Sequence, residues 1–302
     1  MYKNDINLNL YKNFYEVAKC GSISKAAEKT YTSQPAISKS IKKLEEELGT
    51  QLFYRNLKGV ELTDKGRELL YFVEKSFNNL IVAQRNMIET ENLERGKLSI
   101  GMPSNIGSFF LFDKIIDFHN TYPNIEITTV TGSTSKLIKL LETHKVDFVI
   151  DTSPIDVRLE EGIKVKKLKK VNYCFVINKN TTLIDINKIK SITDVVKYPL
   201  ILPIPNTANR NDLDEVLKKN KIEAENVLNI HTSEMIISAV KRDLGIGYVI
   251  EDLVDTETKD LEIIKLKEKL PTVEINLVYN PHYLTTAPKK FIEDYIDYNL
   301  VS

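Results

Sequence analysis

A row of polar and cationic residues has the types and spacing needed to read a double helix. Gln34, Ser38 and Lys42 follow at steps of four, with Pro35 and Lys39 beside them and Ser33 just before. On a helix laid in the major groove of DNA, this face meets base edges. Glutamine pairs bidentately with adenine, lysine reaches guanine, and proline touches a thymine methyl. The opposite face carries Ile37, Ile41, Leu44 and Leu48 at steps of four, three and four, a single stripe to bury. Arg55 and Lys58 flank a short turn at Gly59, where they would meet flanking phosphates. Any surface helix shows glutamine, serine and lysine outside, so the face gains meaning only from its setting.

A second set of polar residues suits ligand binding. Ser104 and Asn105, Ser133, the run Thr207 to Arg210 with Asn209, and Ser233 each stand where an expected strand gives way to a helix. Such junctions offer hydroxyls and unpaired helix N–H groups to an anion, and Arg210 adds a guanidinium fork. No carboxylate stands within these runs, so a small anionic ligand is expected there. Each junction alone reads first as a helix cap, and it is the four together at expected strand ends that favour a pocket.

Catalysis has little support. His119, His144, His231 and His282 are scattered, with no metal-ligand spacing among them or with Cys20 and Cys174. No P-loop or Gly-x-Ser-x-Gly elbow is present, and Leu244 to Val249 lacks the third glycine and following helix of a dinucleotide fingerprint. Neither a cofactor nor a metal is expected.

The elements that must position these residues start with three helices. Leu8, Leu10, Phe14, Val17 and Ala18 recur at helical spacing up to Gly21, and Ser22 or Ser24 can cap a short second helix. Ser33 with Pro35 marks the start of the third. Residues 52–63 then read as two short strands around Gly59, so the pattern is a winged helix-turn-helix. This stretch resembles the DNA-binding domain of LysR-type transcriptional regulators. The matching motifs are Phe14 to Ala18, Gly21 to Glu28, Ser33 to Ser38, Ile41 to Glu45, Leu48-Gly49, Leu52-Phe53 and Leu62 to Gly66. The resemblance implies a ligand-responsive, homo-oligomeric transcription factor acting in the cytoplasm. The run Tyr54-Arg55-Asn56 is less basic than in many members.

From Asp64 to about Glu91 a linker helix is expected, with Leu70, Val73, Phe77 and Leu80 as an approximate heptad seam. The resemblance implies dimerisation through this helix, with two dimers commonly joining as a tetramer. Packing of the same stripe on its own chain is the alternative. Beyond Arg95-Gly96 strands and helices alternate, in an order that resembles the family's two-lobed, periplasmic-binding-protein-like α/β effector domain. Arg210 matches the end of a Gly-Ser-Gly-Thr-Arg loop found in members with anionic effectors.

The expected organisation is a winged helix-turn-helix domain over 6–63, its helix-turn-helix at about 23–42, and a linker/dimerisation helix over 64–92. An effector-binding domain over 93–302 follows. Its lobe I is placed at about 93–162 and 270–302, and its lobe II at about 163–269. The fold class is thus α/β with an α-rich N-terminal domain.

Composition agrees. Of 302 residues 42% are hydrophobic and 28% charged, as in folded globular chains. Residues 1–67 hold 12 lysines and arginines against 8 acids in a chain of zero net charge, which favours an anionic partner at that end. Two cysteines suit a reducing cytosol, and neither a signal peptide nor a spanning segment is read. Expected partners are double-stranded promoter DNA, a small anionic effector and a second copy of the chain, with no membrane. A two-lobed small-molecule-binding protein or transferase without a DNA role is the competing reading, and a purely architectural DNA binder is a third.

Overall fold

The computed structural model describes residues 6–56, 59–88, 93, 95–152, 155, 158–224, 227–257 and 260–297. The chain forms two compact units, one of residues 1–87 with 142–145 and one of 88–141 with 146–302.

The first unit opens with α1 (Leu8–Cys20), α2 (Ile23–Lys29) and α3 (Gln34–Leu48). Each begins at the residue whose side chain can accept its orphan N–H groups. Asn7 accepts from the Asn9 amide, Ser22 from Lys25 and Ser33 from Ala36. Between the two capping candidates for α2, then, the cap is Ser22. The helices close over Leu10, Phe14, Val17, Ala26, Ala27, Ile37, Ile41 and Leu44, whereas Leu48 stays exposed.

The hairpin β1 (Phe53–Asn56) and β2 (Gly59–Leu62) pairs Phe53 with Leu62 and Arg55 with Val60. It is fastened twice. The Glu45 carboxylate of α3 accepts from the amides of Leu52 (2.7 Å) and Phe53 (3.2 Å), and the Val60 amide donates to the Gly21 carbonyl (3.0 Å). A Cβ at Gly59 would stand 2.3 Å from that carbonyl oxygen, and the backbone there has φ +140°, so glycine is required on both counts. Helix α4 (Asp64–Ile88) follows, its first turn held by Thr63, whose hydroxyl accepts from the Gly66 amide at 2.9 Å.

Within the second unit the expected alternation is present. The elements run β3 (Gly96–Met102), α5 (Ser104–Ile106), a π turn (Gly107–Leu111), α6 (Phe112–Thr121), β4 (Ile125–Thr131), α7 (Thr134–Glu142) and β5 (Phe148–Thr152). Then come β6 (Lys164–Asn178), α8 (Ile192–Val195), β7 (Leu200–Pro203), α9 (Ala208–Lys219), β8 (Val227–Ile230) and α10 (Ser233–Lys241). The chain ends with β9 (Ile246–Ile250), α11 (Glu251–Glu257), β10 (Leu261–Ile263), β11 (Thr272–Tyr279) and α12 (Thr286–Phe291).

Among the described residues nine strands join in the order β4-β3-β5-β11-β6-β9-β7-β8, with β10 on β6. Parallel pairs β3–β4 and β7–β8 mark the two lobes. The passage from lobe I to lobe II, expected at about 162–163, leads directly into the fifteen-residue strand β6. Its first half pairs with β11 and its second with β9, so one continuous strand spans both lobes. No helix among the described residues is long and apolar enough to cross a membrane.

Candidate DNA-reading face and ligand cleft

The first turn of α3 presents Ser33, Gln34 and Pro35 exposed, followed by exposed Lys39 and Lys42 and half-buried Ser38. Ser24, free of capping duty, donates its hydroxyl to Gln34 Oε1 at 3.1 Å. That contact restrains the amide at the helix tip. Lys42 has Glu46 at 3.6 Å, an exposed i,i+4 pair of little energetic weight. Arg55 is exposed on β1, and Lys58 lies outside the described residues. Tyr31 is fully exposed in the turn before α3, with φ 53°.

The expected seam on α4 needs correction. Val73 is buried in the core of the first unit, Leu70 and Phe77 pack against it, and the Phe77 ring meets Tyr15 at 5.8 Å. Only Leu80 of the four stands exposed, and it shares its face with Phe72 and Met87, the latter 85% exposed. Steps of eight and seven from Phe72 through Leu80 to Met87 keep this stripe on one side of the helix. The seam residues nearest the winged helix are thus spent on the chain's own core.

In the second unit all four polar junctions meet around one cleft of about 680 Å³ between the lobes. Ser104 and Asn105 follow β3, Ser133 follows β4, Thr207 and Asn209 follow β7, and Ser233 follows β8. All are C-terminal strand ends with helices starting beside them, the usual place for ligands of open α/β sheets. Helix α10 is capped by Thr232, which accepts from Met235 at 3.3 Å. Helix α9 starts at Thr207, whose hydroxyl is turned back onto the Ile204 carbonyl (2.8 Å). Ser108 of the π turn bonds Glu234 of α10, tying one lobe to the other. Tyr173 of β6 walls the cleft and stacks on buried Tyr248 with centroids 5.0 Å apart. Burial pushes both phenols well above their ordinary range.

Arg210 does not join them. Its guanidinium bonds Asp214 through Nε (2.8 Å) and the Pro203 carbonyl (2.9 Å) and Asn229 (2.7 Å) through Nη1. With three partners and only 13% of its side chain exposed, it clamps α9 to β7 and β8. Arg210→Lys is expected to lower the melting temperature of this unit while leaving ligand affinity within about twofold, since a lysine cannot reproduce the fork. Paired melting and titration curves check this.

Conversely, the cleft contains the carboxylate that the junction sequences lack. Asp151, the penultimate residue of β5, is 2% exposed and lines the wall. Oδ1 accepts the Thr152 amide at 2.7 Å, whereas Oδ2 is buried without a hydrogen-bond partner. Burial drives its pKa upward, against the lowering influence of the Thr134 side chain and the Thr152 amide. A raised folded-state pKa means that the native chain holds the proton more tightly than the unfolded chain. The resulting penalty is absent below the unfolded value near 3.8 and complete above the folded one. Asp151→Asn is therefore expected to stabilise the unit by about 1 kcal/mol at neutral pH. The gain should vanish in acid, as melting curves across pH would show.

The chain also matches known sequences and folds. A family model described as "Bacterial regulatory helix-turn-helix protein, lysR family" matches residues 8–67, and one described as "LysR substrate binding domain" matches residues 91–297. The HTH-type transcriptional regulator YofA of Bacillus velezensis is 26% identical over 279 residues, which take in 91% of this chain and 93% of that protein. A full-length OxyR from Pseudomonas aeruginosa superposes with a TM-score of 0.70 at 19% identity, covering 97% of this chain and 98% of its own. Full-length CbnR complexed with its target DNA gives 0.68 at 15% identity, over 96% and 99%. The chain therefore belongs to the LysR family: it is a DNA-binding transcriptional regulator with an effector-binding domain, and not an enzyme.

Proposed function

We propose that this regulator reads operator DNA through Ser33, Gln34, Pro35, Ser38, Lys39 and Lys42, steadies itself on phosphates through Arg55 and Lys58, and answers to a small molecule held between its lobes. The observation that carries the second half is the convergence of four strand-to-helix junctions on one cleft. An anionic group of the effector sits at the N-termini of α9 and α10, where unpaired N–H groups and the helix dipoles favour negative charge. Ser104, Asn105, Ser133, Asn209 and Ser233 supply directional hydrogen bonds, and Thr207, its hydroxyl held by the Ile204 carbonyl, offers the effector the start of α9. A ligand that binds one interlobe arrangement better than another shifts the population of the dimer on DNA. A cytoplasmic site of action follows from the chromosomal partner. Footprinting on the DNA upstream of the protein's own coding region, with and without metabolites found by thermal-shift screening, tests this reading. A footprint unchanged by every bound metabolite would remove the regulatory half.

Self-association uses the exposed stripe Phe72, Leu80 and Met87 of α4, and a two-fold pair predicts a palindromic operator. The chain carrying both Leu80→Glu and Met87→Glu should sediment as a folded monomer and bind a half-site only weakly. A charged residue at Phe77 should instead unfold the first unit. An intact dimer in the double variant would move the interface elsewhere.

A further inference from the structure

We propose that Asp151 is the specificity-determining residue of the cleft and that the effector is a small zwitterion, of the amino-acid class, whose ammonium group binds this carboxylate. The inference rests on the reading of the cleft as the effector site. Asp151 is more than nine-tenths buried, and its Oδ2 atom has no hydrogen-bond partner. A buried acceptor in that state is expensive, and a buried carboxylate without a counter-charge more so. No lysine or arginine stands among the described lining residues, and the one basic side chain there, His231, follows β8 in the other lobe beside α10. Asn276, directly opposite on β11, turns its amide to the Glu274 carbonyl at 3.2 Å. The Thr134 side chain acts on this carboxylate but leaves Oδ2 without a hydrogen bond and brings no charge, so a cationic donor arrives with the ligand.

An ammonium meets this need better than a hydroxyl, because it brings donors and the opposing charge together. The other lobe asks for the opposite sign. Helices α9 and α10, of twelve and nine residues, begin at the cleft with Thr207, Asn209, Thr232 and Ser233. A molecule with a cation at one end and a carboxylate at the other therefore bridges the lobes, its ammonium on Asp151 and its carboxylate on α9 and α10. Both ends are satisfied together only when the lobes are close, so such a ligand favours the closed arrangement.

The experiment uses the full-length protein and calorimetric titration with matched pairs: each of the common L-amino acids beside the 2-hydroxy acid of the same skeleton. The wild type is expected to bind at least one amino acid about tenfold or more tightly than its hydroxy partner. Asp151→Asn, which conserves shape, should erase that preference. Ser104→Ala and Asn209→Ala should weaken both members of the pair. A hydroxy acid or other ammonium-free ligand that binds best, tolerates Asp151→Asn and is weakened by Ser104→Ala overturns the zwitterion while leaving the cleft as the site. A ligand indifferent to Asp151→Asn, Ser104→Ala and Asn209→Ala alike overturns the cleft itself. Failure of every amino acid to bind counts against the proposal.

Discussion

Phe14→Ala is expected to unfold the DNA-binding unit while sparing the other. The ring is fully buried where α1 meets α3 and the hairpin, with Ile37, Ile41 and Leu44 in the same core and the Phe53 ring at 5.4 Å. Removing an aromatic side chain from such a site costs about 3–5 kcal/mol through lost transfer energy and an unfilled cavity. That approaches the whole stability of a small unit, for which about 1 kcal/mol already shifts melting by several degrees. In a calorimetric scan of the full chain, the first unit's transition should fall by on the order of 15 °C. The second unit has its own core and should melt as before. Phe14→Leu should recover part of the loss. An unshifted transition in Phe14→Ala would mean that the helices do not close over this ring.

Legibility in the sequence followed locality. Each helix of the first unit has a side-chain cap at its start and an apolar stripe along it, both contained within a dozen residues, so elements and reading face could be placed from the sequence. The failures involve partners distant in the chain. Helix α4 carries Leu69, Leu70, Tyr71, Phe72 and Val73 in succession, so periodicity cannot say which side the winged helix covers. Strand β6 begins Lys164-Val165-Lys166-Lys167-Leu168-Lys169-Lys170 and reads as a solvated charge run. It is a strand because β11 pairs along it from Lys164 to Asn172, and acids from elsewhere offset its lysines: Asp297 at Lys166, Glu274 at Lys167 and Asp252 at Lys169, all within 2.8 Å.

The cleft shows the same division. Its hydroxyls and amides sit at strand ends that alternation alone locates. Arg210 is captured instead by Asp214, Pro203 and Asn229, and Asn229, on β8, is not its neighbour in sequence. Asp151 carries no local signal because it stands just after the apolar run Phe148-Val149-Ile150, whereas the strand extends to Thr152. Its burial comes from packing that no local pattern encodes.

Base readout carries the other large effect. Gln34→Ala should lose about 1–3 kcal/mol of discrimination at one base pair in each half-site, the worth of a bidentate pairing. Competition titrations against every single-base variant of the footprinted operator would locate that pair. The Ser24 hydroxyl on Gln34 Oε1 makes the expectation more specific. Ser24→Ala removes the restraint on the amide, so it should blunt the same base preference by a smaller amount and at no other position. Arg55 acts differently from its exposed place on the hairpin. Arg55→Ala should weaken all operator variants alike and reduce the salt slope of log K by about one, the signature of a lost phosphate contact. The two substitutions therefore separate on a plot of affinity against sequence and salt. If Gln34→Ala followed the Arg55 pattern, weakening every sequence equally, the tip of α3 would hold the DNA backbone and base reading would pass to Ser38, Lys39 and Lys42 deeper along the same helix.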